Sequence, residues 1–334
     1  MEKLLDTVNL RSGEEAEIWL VRAPAPDWTE RILPLLAHKG EPWLGAMRRA
    51  LENGLGELNM SFFECVIGGQ LCGNVTIADS LHRPIGILQH VFTKPQHRQK
   101  GVAAALMAAA CEDFRARGGQ ALYLATGNPV AAALYQRFGF RELGHDGVMR
   151  WTLEDTFERE YFRARHVEVR ETRWSDWPLL AALYSVAEGW TLRSLFFGHY
   201  GPSFYEGPFL ELMAAQEKGL VKDNKVLTTE DGAVMGHAFL WPQKAYADDP
   251  LMVDFFVHPT FCDQAGKLLA ALSLPDGRKV QAAMDNDAVT RHKILAQAGF
   301  WREATLRNQF SYRGLWYDVS LYCRPWVPSA RPPQ

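Results

Sequence analysis

The sequence predicts two consecutive α/β units (α+β in type), each a twisted, largely antiparallel sheet flanked by helices. Three observations predict it. The chain has 334 residues, more than one ordinary domain holds. Strand-like apolar runs lead through glycine turns into helix-like runs in both halves. Short patterns also recur in one order, displaced by roughly 150 to 160 residues, as an internal duplication would leave them.

The echoes mark the elements. Val21-Arg22, then Asp27-Trp28 and a leucine-rich helix, returns as Val169-Arg170, then Asp176-Trp177 and a helix over 179–183. Gly69-Gln70-Leu71-Cys72-Gly73 returns as Gly232-Ala233-Val234-Met235-Gly236, each the turn and second arm of a hairpin. Gly139-Phe140 returns as Gly299-Phe300. The expected organisation is a first domain over 1–153, a charged linker helix over 154–166, a second domain over 167–325 and an irregular proline-rich tail over 326–334.

In the first half a strand over Ile85–Thr93 runs into the loop Arg98-Gln99-Lys100-Gly101 and an alanine-rich helix opening Val102-Ala103. The first N–H groups of such a helix have no intrahelical acceptor and share its end with the positive pole of the dipole. With small residues at 101 and 103 and cations at 98 and 100, this is a cradle for a diphosphate. Neither of the common nucleotide loops is present. About 25 residues on, a short strand over 121–126 precedes Asn128-Pro129, an N-cap and first-position pair, and a helix carrying Ala131, Leu134 and Tyr135 that Gly139 ends.

The spacing Arg98-x-x-Gly101-x-Ala103 followed by Asn128-x-x-Ala131-x-x-Leu134-Tyr135-x-x-x-Gly139-Phe140 resembles the paired signatures of the GNAT superfamily of acyl-CoA-dependent N-acyltransferases. The resemblance implies two tandem GNAT-like domains, with acetyl-CoA as co-substrate on the first. Its diphosphate would lie on Arg98, Gln99, Lys100, Gly101, Val102 and Ala103, and its pantetheine arm along Phe92 and Thr93 beside Asn128 and Ala131. Tyr135 would give a proton to the departing thiolate, since a phenol and a thiolate have comparable basicity. Many relatives carry a glutamate on the strand before the loop. This chain has Gln89 and His90 there, which makes His90 the candidate base. Strict alternation puts Leu88, His90 and Phe92 on one face and Gln89, Val91 and Thr93 on the other.

The second half departs from the pattern. Where the cradle would stand it reads Cys262-Asp263-Gln264-Ala265-Gly266-Lys267, with a carboxylate at the diphosphate and a bulky residue at a small position, and Leu295 replaces the tyrosine. It reads as a degenerate copy. Between its first helices, residues 189–205 gather six aromatic rings, expected either as core or as a wall of the acceptor cleft.

A net charge of −3 gives no hint of nucleic acid or of an acidic membrane surface. Five scattered cysteines, with no Cys-x-x-Cys or His-Glu-x-x-His, point to no metal site and to a reducing, cytoplasmic setting. The expected function is transfer of an acetyl or other acyl group to an amine, on a small molecule or a peptide. The alternative is a non-catalytic CoA-binding, sensing or scaffold protein on the same fold. The sequence leaves the oligomeric state open.

Overall fold

Alternating apolar residues build a mixed sheet in each half, seen in a computed structural model that describes residues 1–144, 147–242 and 250–325. The expected tail lies outside these residues. The chain divides into two units: Met1–Phe157 with Arg173–Ala182, and Glu158–Thr172 with Leu183–Gln334.

The first unit contains β1 (Glu2–Asn9), β2 (Glu15–Arg22), α1 (Thr29–Leu35), α2 (Trp43–Asn53), β3 (Leu58–Ile67), β4 (Gln70–Ser80), β5 (Ile85–Thr93), α3 (Val102–Ala116), β6 (Ala121–Ala125), α4 (Pro129–Arg137), β7 (Arg141–Glu142) and β8 (Val148–Thr152). Its strand order is β1-β2-β3-β4-β5-β6-β8-β7, antiparallel except for β5–β6. Along α3, Val102, Leu106, Met107, Ala110, Cys111 and Phe114 follow helical spacing and bury one stripe on the sheet. That core takes Ile18, Phe63, Val75 and Leu88 from the strands and Tyr135 from α4, and no residue of α1 or α2. The central strands are buried along nearly their whole length.

The strand before the cradle does not alternate as expected. Thr76 pairs with Gln89 but Asn74 pairs with Phe92, so two steps on β4 face three on β5. The extra residue is a β-bulge, with His90 in the left-handed region at φ 53°. It resets the period, and Leu88 and Val91, assigned opposite faces by alternation, both pack on the α3 core. The expected alternation fails at that residue.

The linker holds less helix than expected. α5 (Phe157–Tyr161) is one short turn rather than the whole of 154–166. Its end is tied off by Arg165, whose Nη2 donates to the Tyr161 carbonyl at 2.5 Å.

The second unit continues with β9 (Val167–Glu171), α6 (Trp177–Tyr184, shared with the first unit by the division above), β10 (Leu192–Ser194), β11 (His199–Tyr200), α7 (Gly207–Glu217), β12 (Asp223–Thr229), β13 (Val234–Pro242), β14 (Leu251–Val257), α8 (Ala265–Ala270), β15 (Val280–Asp285), α9 (Val289–Gln297), β16 (Trp301–Tyr312) and β17 (Leu315–Cys323). Its sheet order, β9-β12-β13-β14-β15-β17-β16, repeats the first unit's from β2 onward, with β14–β15 as its parallel pair. Gly73 and Gly236 are both tightly enclosed, by a helix residue in one unit and by a strand residue in the other. An added Cβ would come within 2.7 Å of Val102 in one case and of Val257 in the other. The aromatic stretch 189–205 forms the small β10–β11 ladder, and its rings pack within this unit. Tyr205 stacks on Tyr184 at 4.1 Å between ring centres, and Phe196 on Trp241 at 4.5 Å. Among the described residues, no helix is long and apolar enough to cross a membrane.

Candidate active site

The opening in the first sheet follows from its one parallel pairing. β5 and β6 are bonded only from Ile85 with Ala121 to Ile87 with Tyr123, whereas β5 runs on to Thr93. Beyond Ile87 the two strands part, and one backbone edge of β5 is left without a ladder partner in the sheet. The bulge lies within this free stretch and is pinned from the other side, where Asn74 Nδ2 donates to the His90 carbonyl at 2.7 Å.

At the end of that strand sits the cradle. Gln99 and Gly101, on either side of Lys100, have φ of 64° and 98°, and left-handed residues alternating with ordinary ones turn backbone N–H groups into a concave nest. Gly101 is the N-cap of α3 and no side chain caps the helix. A Cβ at Gly101 would lie 3.6 Å from Arg11 Cγ, so the space is open but the backbone conformation favours glycine. Arg98 turns back, its Nε donating to the Thr93 carbonyl at 3.1 Å, and Lys100 pairs with Glu14 at 2.7 Å. The cations are therefore partly engaged, and the backbone is the better-presented donor. Arg11, held by its N–H to the Lys100 carbonyl at 3.0 Å, is a third cation that the motif spacing does not reveal.

On α4, Asn128 Oδ1 accepts from Val130 N–H at 2.9 Å and Ala131 N–H at 3.4 Å, so it caps the helix, and Pro129 fills the first position. The Asn128 amide nitrogen makes no hydrogen bond among the described residues. Ala131 and Tyr135 join Val102 on the α3 core. Tyr135 is 6% exposed, and burial pushes its phenol up to about 12. Its ring packs against Phe140 with centres 6.0 Å apart. The predicted residues thus fall on the strand end, the loop, the starts of α3 and α4 and, for Tyr135, the last turn of α4, and the two helices share one core.

His90 is buried, which pushes its imidazole down to about 3. The ring of Phe92 is covered by His38 at 4.4 Å. Two polar residues of this sheet escaped the motif reading, Asn74 on β4 and Glu64 on β3. Glu64 is fully buried with neither carboxylate oxygen hydrogen-bonded among the described residues, and burial drives its carboxyl well above the usual range. Its one sequence signal is a lone charge in the apolar run Phe62-Phe63-Glu64-Cys65-Val66.

Residues 25–140 match the Acetyltransferase (GNAT) family. Those residues form a GNAT domain. An acetyltransferase of Agrobacterium fabrum is 38% identical over 62 residues, which are 19% of this chain and 45% of that protein. The chain thus matches less than half the length of this curated relative. Solved structures similar to the chain include an N-acetyltransferase of Staphylococcus aureus Mu50, at 15% identity and a TM-score of 0.39 over 48% of this chain and 98% of that one. Another is a GNAT phosphinothricin acetyltransferase of Sinorhizobium meliloti in complex with AcCoA, at 17% identity and a TM-score of 0.39 over 51% and 94%.

The second unit closes the same opening with its own chain. β14 and β15 part after Val253 and Ala282, and β13–β14 keeps an unbroken register, without a bulge. Arg291 of α9 is fully buried, donating from Nη2 to the Phe255 carbonyl at 2.8 Å and from Nη1 to Leu192 at 2.6 Å. α8 begins after Gln264 in ordinary helical geometry, so there is no glycine nest.

Proposed function

We propose that the GNAT domain transfers an acetyl group from acetyl-CoA to an amine by direct attack. The observation that carries this reading is the free edge of β5, bulged at His90, which leads straight to a glycine-capped helix N-terminus. Backbone groups of Phe92 and Thr93 would bind the pantetheine arm, with the free amide nitrogen of Asn128 nearby. The nest over Gln99–Ala103 would hold the diphosphate, where backbone donors and the dipole favour an anion. Arg98, Lys100 and Arg11 add charge around it.

In the reaction the amine nitrogen bonds to the thioester carbonyl carbon and the carbon–sulfur bond breaks. The thiolate then takes its proton from Tyr135. A phenol held at about 12 stays protonated throughout the working range, as a donor must. His90, held at about 3, is too weak a base to keep the proton of an ammonium. This reading gives it a structural place at the bulge, where its carbonyl accepts from Asn74, and the proton shed by the attacking nitrogen passes to solvent water. The second unit takes no acyl-CoA, because Arg291 occupies the carbonyl that an arm would need.

The test is thiol release from acetyl-CoA in the presence of a panel of primary amines. Release that depends on an amine and is lost in Gly101→Asp supports the reading. CoA binding without turnover of any amine would favour the binding-protein alternative.

A further inference from the structure

The turn between β1 and β2 stands against the cradle. Leu10 anchors it in the α3 core, and the Leu10 N–H donates to the Glu14 carbonyl at 2.9 Å to close it. From that anchor the Arg11 N–H reaches the Lys100 carbonyl at 3.0 Å, and the Arg11 side chain passes 3.6 Å from where a Cβ on Gly101 would lie. Glu14 takes the side chain of the same lysine, whose Nζ is 2.7 Å from one carboxylate oxygen and 3.1 Å from the other. Ser12 Oγ donates to that carboxylate at 2.6 Å. The hydrogen bonds from Lys100 and then Ser12 hold the Glu14 carboxyl below its usual range, so it is ionised at neutral pH.

This sets a carboxylate beside an anion site. Lys100 belongs to the nest, between Gln99 and Gly101, and its flexible ammonium is one of the charges a diphosphate would draw. While it sits on Glu14, that charge is neutralised. Stability gives little reason for the arrangement. The two side chains are 29% and 36% exposed, and a surface pair of this kind contributes little. Nor does the fold require the turn. The second sheet has the same strand order but ends at β9, with no strand beyond it among the described residues, and that unit has no nest. The extra hairpin goes with the cradle.

We propose that Glu14 sets how tightly CoA is held, by competing with the diphosphate for the Lys100 ammonium. The proposal rests on the acyltransferase reading and deepens it at the co-substrate's end. Binding moves the ammonium from Glu14 to a phosphate oxygen, and departure of CoA returns it. No covalent bond changes. Arg11, exposed and without an ion pair among the described residues, keeps one cation at the mouth in both states. Because the pair re-forms as CoA leaves, it favours departure of the product, which speeds turnover wherever that step limits the rate.

The experiment is calorimetry of CoA with wild type, Glu14→Gln, Lys100→Met and the double variant. Release is followed in parallel by stopped-flow displacement of a fluorescent CoA analogue. Both side chains are partly exposed, so the variants keep the fold, and a thermal melt checks it. Glu14→Gln should bind CoA about two- to fivefold tighter and release it more slowly by a like factor, the range over which an exposed ion pair acts. Lys100→Met should weaken binding, and in its background the gain from Glu14→Gln should largely vanish, because nothing is left to compete for. Affinity that is unchanged or weaker in Glu14→Gln, or an equal gain with and without Lys100, would overturn the proposal and leave the acyltransferase reading standing. Wild type that binds no CoA would bring down that reading and the proposal with it.

Discussion

Asn74 Nδ2 donates to the carbonyl oxygen of His90 at 2.7 Å, tying β4 to the one residue of β5 that does not fit the ladder. The bond satisfies a carbonyl that the bulge withdraws from regular pairing, and it holds His90 at a positive φ that a non-glycine residue rarely adopts. Asn74→Ala should therefore cost about 1–3 kcal/mol, the scale for orphaning a buried acceptor. Chemical denaturation measures it, and thiol release should fall in parallel because the free edge of β5 loses its shape. A variant as stable and as active as wild type would mean the bulge holds itself.

Tyr135→Phe removes one hydroxyl and keeps the ring on Phe140. Turnover should fall about 10²-fold or more with CoA affinity nearly unchanged. Since burial holds the phenol at about 12, no alkaline loss of activity from this group should appear below that pH. Turnover within about twofold of wild type, measured where chemistry limits the rate, would reduce Tyr135 to packing.

His90 carries a pH signature of stability. Its folded value of about 3 lies below the ordinary histidine value near 6.5, so the unfolded chain binds the extra proton between them. The stabilising term is present above about 6.5 and is lost as pH falls toward about 3. His237, held at about 3 in the second unit, acts in the same direction. His90→Leu should flatten part of the acid loss seen in denaturation curves between pH 7 and 4. An unchanged slope would show that His90 is protonated at little cost.

Arg291→Ala should destabilise the chain by about 3–5 kcal/mol, because Asp254 then keeps a buried charge without its partner at 3.6 Å. The Leu192 and Phe255 carbonyls lose their donor as well. CoA stoichiometry should stay at one per chain, since the nest is also missing from this unit. A second CoA site appearing in the variant would show that the arginine alone blocks it.

Much of this was legible because it rests on local chemistry. Asn128, Pro129 and Gly139 mark both ends of α4, and the glycine at 101 marks the nest. The echo between Gly73 and Gly236 marks two strand positions where a Cβ would crowd a leucine of the covering helix, Leu106 of α3 and Leu268 of α8. The bulge was not legible, because counting residues in twos along 85–93 cannot see an extra residue that only the partner strand reveals. Glu64 was visible as a lone charge in an apolar strand, yet its lack of a partner depends on three strands lying side by side. Arg291 sits in Val289-Thr290-Arg291-His292-Lys293, which reads as a solvated surface. Only the parted strands of the second sheet turn it inward.

The measurement that tests the central claim most directly is a calorimetric titration of CoA into the full chain and into Gly101→Asp. The account predicts one site per chain in wild type and none in the variant. The added carboxylate would face the diphosphate, and aspartate would have to adopt a φ of 98°. Two equal sites in wild type, or undiminished affinity in Gly101→Asp, would contradict it.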